Sequence, residues 1–467
     1  MKNILFKLAM GISIVLLSSC DSYTDFTPKG RKIVQTQGDL ELLANKQYSG
    51  FDFTMLSILI NDHYPQSRDI PFILTGNSKD LNYTQLTYDE SIDREQLDQS
   101  GELYSRLYAI INGTANPLIS FSDQVSGNQN ELNSLKAEGY VVRAFLHYYL
   151  VNIYAKAYDP STAAEDGGIP YVKDLDLDEI NPKLSVQEVY DNIMADIDSA
   201  IELDALPETP INAMRVGKGF AYAVKARILM SLGDYESALD AVNVALTYNN
   251  VLEDHRPLLS SYSSNPLAFS NLRPNGLIAD DNLFYSYYAR NWPFSVSPSY
   301  EIVNEFYEAG NILKDSLGTQ VYEEGNAVNL PDIPEWSGGY QQNNAGITTS
   351  DLYLIKAECL IRTDEVEEGM NWINEIRLRR VSPYAPLQAA NASEAMGYLQ
   401  KTARIEYLYS GKSYFDIKRW NKEGEYPITI SRTLEGVTYT LSPNSSLWIY
   451  PFPLEATQLN PTLGKNY

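Results

Sequence analysis

An all-α scaffold of stacked helical hairpins carrying long irregular loops is the fold class this sequence predicts. Three observations lead there. Residues 220–246, FAYAVKARILMSLGDYESALDAVNVAL, align without a gap on 351–377, DLYLIKAECLIRTDEVEEGMNWINEIR, at a constant offset of 131. A further pair of helical patterns, 131–154 and 185–203, is separated by a loop rich in Asp, Gly and Pro. Blocks with neither helical nor alternating period cover 61–99, 255–299 and 324–349. Loops of that length are uncommon unless they are functional.

The elements follow in order. Lys2 and Lys7 flank the start of LAMGISIVLL, and LSSC ends at Cys20. A basic start, a short apolar run and small residues define an export signal. The run is too short to span a bilayer. Cys20 directly after Leu17-Ser18-Ser19 resembles a bacterial lipobox, so residues 1–19 are expected to be a signal peptide and Cys20 the acylated first mature residue. LELLANKQYSG (40–50) and GELYSRLYAIINGTANPLIS (101–120) are helix candidates. The first paired helix is 131–154, and Ser185 with Glu188 opens the second as a capping box.

In the two aligned copies, Ala226 falls on Ala357 and Ala238 on Gly369. Small residues at that spacing let two antiparallel helices approach across a short turn. Gly233 falls on Asp364 at that turn, and GDYESAL (233–239) resembles the turn and second helix of a tetratricopeptide repeat. ITISRTLEGVTYTL, with a turn near Glu435-Gly436, predicts one short β-hairpin, the most strand structure expected.

Composition narrows the function. The chain has 467 residues, and 60 acidic against 36 basic side chains give a net charge of -24. Phosphate contacts need clustered Lys and Arg, so nucleic acid is not an expected partner. The 35 tyrosines suit carbohydrate or peptide contact as well as helix packing. Cys20 is taken by lipid, leaving Cys359 as a buried apolar residue. His63, His147 and His255 have no metal-ligand spacing, and His147 in RAFLHYYL reads as a core residue. KDLDLDE (173–179) reads as a solvated acidic loop rather than a Ca²⁺ site. GKGFAY (217–222) lacks the Ser/Thr and the preceding strand of a phosphate loop. No catalytic residue, cofactor or metal is assigned, and a binding protein is expected rather than an enzyme.

The lipobox, the interrupted pair with GGIPYV and the two later repeats together resemble SusD/RagB outer-membrane nutrient-binding lipoproteins. Near the C-terminus, Arg404, Glu406, Leu408, Gly411, Tyr414, Phe415, Asp416, Ile417, Arg419 and Trp420 match the family's pattern. The tail LWIYPFPLEATQLNPTLGKNY matches its closing Pro-x-Pro, Asn-Pro-x-Leu and Asn…Tyr. Ser410 and Ser413 depart from it, standing where the family often has Glu and Arg, which suggests a lost ion pair. Asp21 after the lipid Cys fits surface export in bacteria of the Bacteroidetes type. The resemblance implies one domain over 20–467, with repeats near 131–203, 220–247 and 351–379 and a signature over 404–467. It also implies a surface lipoprotein, anchored in the outer membrane, that captures a glycan or peptide and hands it to a TonB-dependent, SusC-like transporter.

In that picture the irregular loops form the ligand surface. Sugar faces stack on aromatic rings while hydroxyls bond Asn, Asp, Gln or Arg. The candidates are Trp292 and Phe294 in RNWPFSVSPSY, Tyr64, Arg68, Asp69 and Phe72 in DHYPQSRDIPF, and Tyr83 and Tyr88 in NYTQLTY. A peptide-binding member, or a lipid-anchored repeat scaffold for protein partners, is the alternative. The basic, aromatic run RIEYLYSGKSYFDIKRW (404–420) reads as a structural clasp, its cations neutralised by Glu406, Asp416 and other acids.

Overall fold

The computed structural model describes residues 34–45, 48, 50–65, 70–95, 97–98, 101–176, 179–257, 277, 279–287, 296–299, 301–312, 343–408 and 410–467. The signal segment and Cys20 lie outside them. The N-terminal part holds α1 (Gln37–Ala44), α2 (Thr54–Leu59), β1 (His63–Pro65), α3 (Ile70–Thr75) and α4 (Leu81–Thr87). The helix expected over 101–120 is α5 (Glu102–Ile110) and α6 (Asn116–Ser122), joined by a π-helical turn at Ile111–Ala115. Pro117 has no N–H to return to the preceding turn, which favours the wider winding there.

Then come α7 (Gln129–Tyr154), β2 (Gly167–Pro170), β3 (Lys183–Ser185) and α8 (Val186–Glu202). The Ser185–Glu188 capping box is present as expected. Helix α7 is buried on every side from Val141 to Tyr154, so its pattern is apolar all round rather than striped. His147 is a satisfied core residue: Nδ1 donates to the Arg143 carbonyl at 2.9 Å and Nε2 accepts from Val172 N–H at 3.1 Å. Burial holds its pKa down at about 3.

The two aligned copies fold alike. Helices α9 (Lys218–Leu232) and α10 (Tyr235–Tyr248) pack as a hairpin, as do α11 (Thr349–Arg362) and α12 (Val366–Arg380) after β4 (Asn282–Phe284), β5 (Val296–Pro298) and β6 (Ile347–Thr348). Gly233 and Asp364 are both left-handed, at φ 78° and 66°. The next residue donates to the equivalent carbonyl in each copy, Asp234 to Leu229 at 3.0 Å and Glu365 to Leu360 at 2.8 Å. Ala226, Ala238 and Ala357 are fully buried. A Cβ on Gly369 would stand 2.9 Å from the Ala357 carbonyl, so the small residues do set the helix approach.

Helices α13 (Ala392–Glu406) and α14 (Lys412–Glu423), strands β7 (Ile430–Leu434) and β8 (Val437–Leu441), and α15 (Leu454–Leu459) complete the chain. The β7–β8 hairpin turns on Glu435 and Gly436, both left-handed, as its sequence predicts. Three more two-stranded ribbons, β1–β5, β2–β3 and β4–β6, exceed the single hairpin expected. They are two to four residues long, too short for alternation to show. They pair backbone groups where irregular segments enter the core.

The 404–420 run is a clasp, but most of its partners are remote. Asp351 on α11 receives Arg227 Nη2 at 2.8 Å and Lys412 Nζ at 2.9 Å. Glu358, also on α11, takes both Arg419 Nη atoms at 2.8 Å, and Trp420 Nε1 and Arg362 Nε at 2.8 Å each. The expected Asp416–Arg419 contact is present but longer, at 3.5 Å. Glu406 bonds Arg380 instead, and Arg404 reaches Asp62. Burial alone would raise the Glu358 pKa; the Arg419 and Arg362 guanidiniums hold it at about 2. Ser410 is buried and donates to the Tyr407 carbonyl, while the buried Ser413 hydroxyl has no partner among the described residues. Cys359 is fully buried, and burial pushes its thiol up to about 12.

The tail is sewn back onto earlier chain. Asn466 Nδ2 donates to the Tyr154 and Tyr450 carbonyls at 2.7 and 2.8 Å. The Tyr467 hydroxyl accepts from Arg94 N–H and donates to Asp93, both at 2.7 Å. Among the described residues, no helix is long and apolar enough to cross a membrane.

Candidate functional site

The β1–β5 ribbon joins the two irregular blocks that the sequence singled out. His63 pairs with Pro298, Tyr64 with Ser297 and Pro65 with Val296, antiparallel. Residues more than two hundred positions apart thereby share one short ribbon, and Ser299 N–H extends the pairing to the Asp62 carbonyl at 2.9 Å. Pro65 and Val296 form one end of it, where the chain leads on towards Arg68 and Asp69 and back towards Phe294 and Trp292. Those four candidates lie outside the described residues.

The remaining candidates separate by exposure. Tyr64 is 1% exposed, and its hydroxyl donates to Glu301 at 2.8 Å. Tyr88 is 8% exposed, and its hydroxyl donates to the Leu59 carbonyl at 2.9 Å. Arg432, carried in by β7, lies against both rings and donates to the Tyr88 hydroxyl at 2.9 Å. These two tyrosines are buried anchors for the ribbon and hairpin, with no ring face open to a ligand, which corrects the expectation for them. Phe72 on α3 is 76% exposed. Tyr83 on α4 is half-buried and has the Lys79 ammonium 3.4 Å from its ring centroid. Asp80 fixes the start of α4 by capping Tyr83 N–H at 2.9 Å.

A cleft of about 230 Å³ lies close to the ribbon, between a π-helical turn at Ile302–Phe306 and helices α12 and α13. Arg404 connects the two. It donates to Asp62 at 2.6 Å, and its guanidinium stands 4.6 Å from the centroid of the cleft-lining Phe306. Phe306, Tyr307, Tyr398 and Ile405 supply the apolar lining. Two closed ion pairs also line it, Arg377–Glu308 and Arg380–Glu406, each with an N–O distance of 2.9 Å. Glu305 and Lys401 are exposed at its rim. The guanidiniums are already matched by carboxylates, so the cleft suits an uncharged, hydroxyl-rich ligand with an apolar face.

Sequence reasoning missed the cleft. Phe306 and Tyr307 sit in VNEFYEAG and Tyr398 in MGYLQKTA, neither rich enough in aromatics or turn residues to stand out. Only their convergence marks them. Among the described residues, no group of three or more His, Cys, Asp or Glu is arranged to hold a metal ion.

The comparisons agree with this architecture. A family model described as starch-binding associating with outer membrane matches residues 61–230, and the SusD family model matches 329–467. SusD-like protein P2 of Formosa agariphila is 26% identical, over 68% of this chain and 70% of its own. A SusD superfamily protein from Bacteroides thetaiotaomicron superposes with a TM-score of 0.71 at 18% identity, covering 92% of this chain and 100% of that one. Surface glycan-binding protein A from Bacteroides uniformis superposes at 0.66 with 15% identity, over 92% and 98%. The first family model includes β1 of the ribbon and the interrupted hairpin, the second includes the α11–α12 repeat and the clasp, and the fold is shared along the chain: the protein is similar to SusD family proteins in both its N-terminal and its C-terminal parts.

Proposed function

We propose that this chain is a surface lipoprotein, anchored through Cys20, that binds a glycan or oligosaccharide and passes it to a TonB-dependent, SusC-like transporter of the outer membrane. The β1–β5 ribbon carries the reading, because it brings the two aromatic-rich blocks together beside a cleft suited to a neutral sugar. Similarity to a family model described as starch-binding, and to a surface glycan-binding protein in fold, supports it. Phe72 and Tyr83 are the described surface candidates, with Trp292, Phe294, Arg68 and Asp69 proposed to extend them. A rigid helical scaffold presenting irregular loops is a common arrangement for binding.

The test is a screen of neutral oligosaccharides and short peptides on purified protein starting after Cys20. A neutral glycan is expected to bind, and Trp292→Ala or Phe72→Ala to weaken it about tenfold or more, as loss of a stacking ring does. Binding of peptides alone would identify a peptide-binding member. Binding of neither class would favour the protein-partner scaffold.

A further inference from the structure

The β7–β8 hairpin is a sheet of two strands, so each strand has an outer edge with no third strand beside it. Its register runs without a bulge from Leu434–Val437 to Ile430–Leu441. The two-residue, left-handed turn at Glu435 and Gly436 makes Leu434 and Val437 exchange both backbone hydrogen bonds. Alternation then points the N–H and C=O of Thr438 and Thr440 outward along β8, and those of Ser431 and Thr433 outward along β7. The Thr433 and Thr438 hydroxyls meet at 3.0 Å, as close side chains of a non-hydrogen-bonded pair do. On the inner face, half-buried Tyr439 packs against the cluster of Ile58, Tyr64, Ile70, Leu86 and Leu434, which holds the hairpin in place.

The two edges differ. On β7, Asn61 Nδ2 donates to the Ser431 carbonyl at 3.0 Å, so chain from the N-terminal part covers that edge. On β8, the outward backbone groups of Thr438 and Thr440 make no hydrogen bond among the described residues, and both residues are exposed. Val437 beside them is 50% exposed. An open edge is a template for another strand, and folded proteins blunt it with charge, proline, a bulge or a covering segment. The run VTYTL (437–441) carries no charge, proline or bulge and is made largely of strand formers.

That run is also matched to itself. In an antiparallel pair with Tyr439 opposite Tyr439 of a second copy on the two-fold axis, Thr438 falls opposite the second copy's Thr440, and Thr440 opposite its Thr438. Each of those threonine pairs exchanges both backbone hydrogen bonds. Threonine faces threonine on the outer side, tyrosine faces tyrosine on the inner side, and no like charges meet. We infer that β8 pairs with β8 of a second copy, in a two-fold dimer whose hairpins merge into one sheet. An edge of 5 residues buries much less than the roughly 1,200 Å² of a stable interface, so the dimer is weak, with a Kd on the order of 100 μM. The net charge of -24 on each chain opposes it at low ionic strength.

The test is analytical ultracentrifugation of protein starting after Cys20, from about 5 to about 500 μM, where monomer is expected to pass into dimer. Raising NaCl from about 50 to about 300 mM is expected to strengthen the dimer several-fold, because it screens the repulsion of two acidic chains. Thr440→Pro removes an outward N–H without touching a backbone bond of the hairpin, and is expected to weaken the dimer about tenfold or more. Thr440→Ala, which keeps that N–H, is expected to retain most of the association, and Thr433→Pro on the other edge to leave it unchanged. Hydrogen exchange needs no variant: the Thr438 and Thr440 amides are expected to slow as protein concentration rises. A monomer throughout, a dimer without that protection, or equal loss from the two proline variants would each overturn the inference. So would protection gained only from an added valine–threonine peptide, which would assign the edge to a foreign strand.

Discussion

Asp281 is fully buried, and neither oxygen of its carboxyl has a hydrogen-bond partner among the described residues. It shares its surroundings with Glu253 and Glu406, with Arg380 and with the buried His255. Burial first, and then the Glu253 charge, push its pKa up to about 8. A carboxyl raised in the folded state favours folding fully below its unfolded pKa, near 4, and that contribution is lost as pH climbs through about 8. Stability is therefore expected to fall between pH 5 and 8 by up to about 1.4 kcal/mol per pH unit from this group. Asp281→Asn is expected to flatten that slope, as followed by urea unfolding at several pH values. An unchanged slope would mean that Asp281 is ionised and partnered. At this scale the sequence was a partial guide. Cys359 and His147 were legible as core residues because each sits inside a helical apolar run. Tyr64 and Tyr88 were not, because Arg432, which covers both rings, comes from a hairpin more than three hundred residues away.

Among the elements, the paired hairpins show how far local pattern reaches. The 131-residue offset located both turns, and the structure repeats them down to the left-handed residue and its returning hydrogen bond. Caps, turns and helix faces depend on neighbours within a few positions, so one sequence reveals them. The extra ribbons and the cleft depend on segments that meet only in the fold. The small residues make a prediction here. Gly369→Ala would place a methyl 2.6 Å from Ile361 Cγ1 and 2.9 Å from the Ala357 carbonyl. The isoleucine side chain can shift, whereas the backbone carbonyl cannot do so cheaply. Overpacking of about 1–3 kcal/mol should outweigh the roughly 1 kcal/mol of helix propensity that alanine gains. Net destabilisation of about 1 kcal/mol is expected in chemical denaturation, and a stabilised variant would show that the hairpin has room to open.

Across the whole molecule, α11 is the place where separate parts are bound together. Through Asp351 and Glu358 it holds Arg227 of the preceding hairpin and Lys412, Arg419 and Trp420 of the C-terminal signature. Removing one partner of a buried pair strands the other, at a cost of about 3–5 kcal/mol. Glu358→Gln is expected to reach that range and to lower the melting temperature as a single cooperative loss. A change below about 1 kcal/mol would show that Arg419 finds another acceptor. The signature thus reads as fold identity, as the sequence suggested, although the acidic partners of Lys412 and Arg419 sit some sixty residues upstream on α11 and that of Arg404 lies at Asp62.

The stitching of the tail bears on the order in which such a chain folds. Asn466 and Tyr467 reach back to the end of α7 and to Asp93–Arg94, closing loops of more than three hundred residues. Helical hairpins join neighbours in sequence and form fast, whereas contacts at that separation bear a loop-closure cost and form late. The hairpins are therefore in place before the tail locks down, and the tail acts as the last latch on a stack already built.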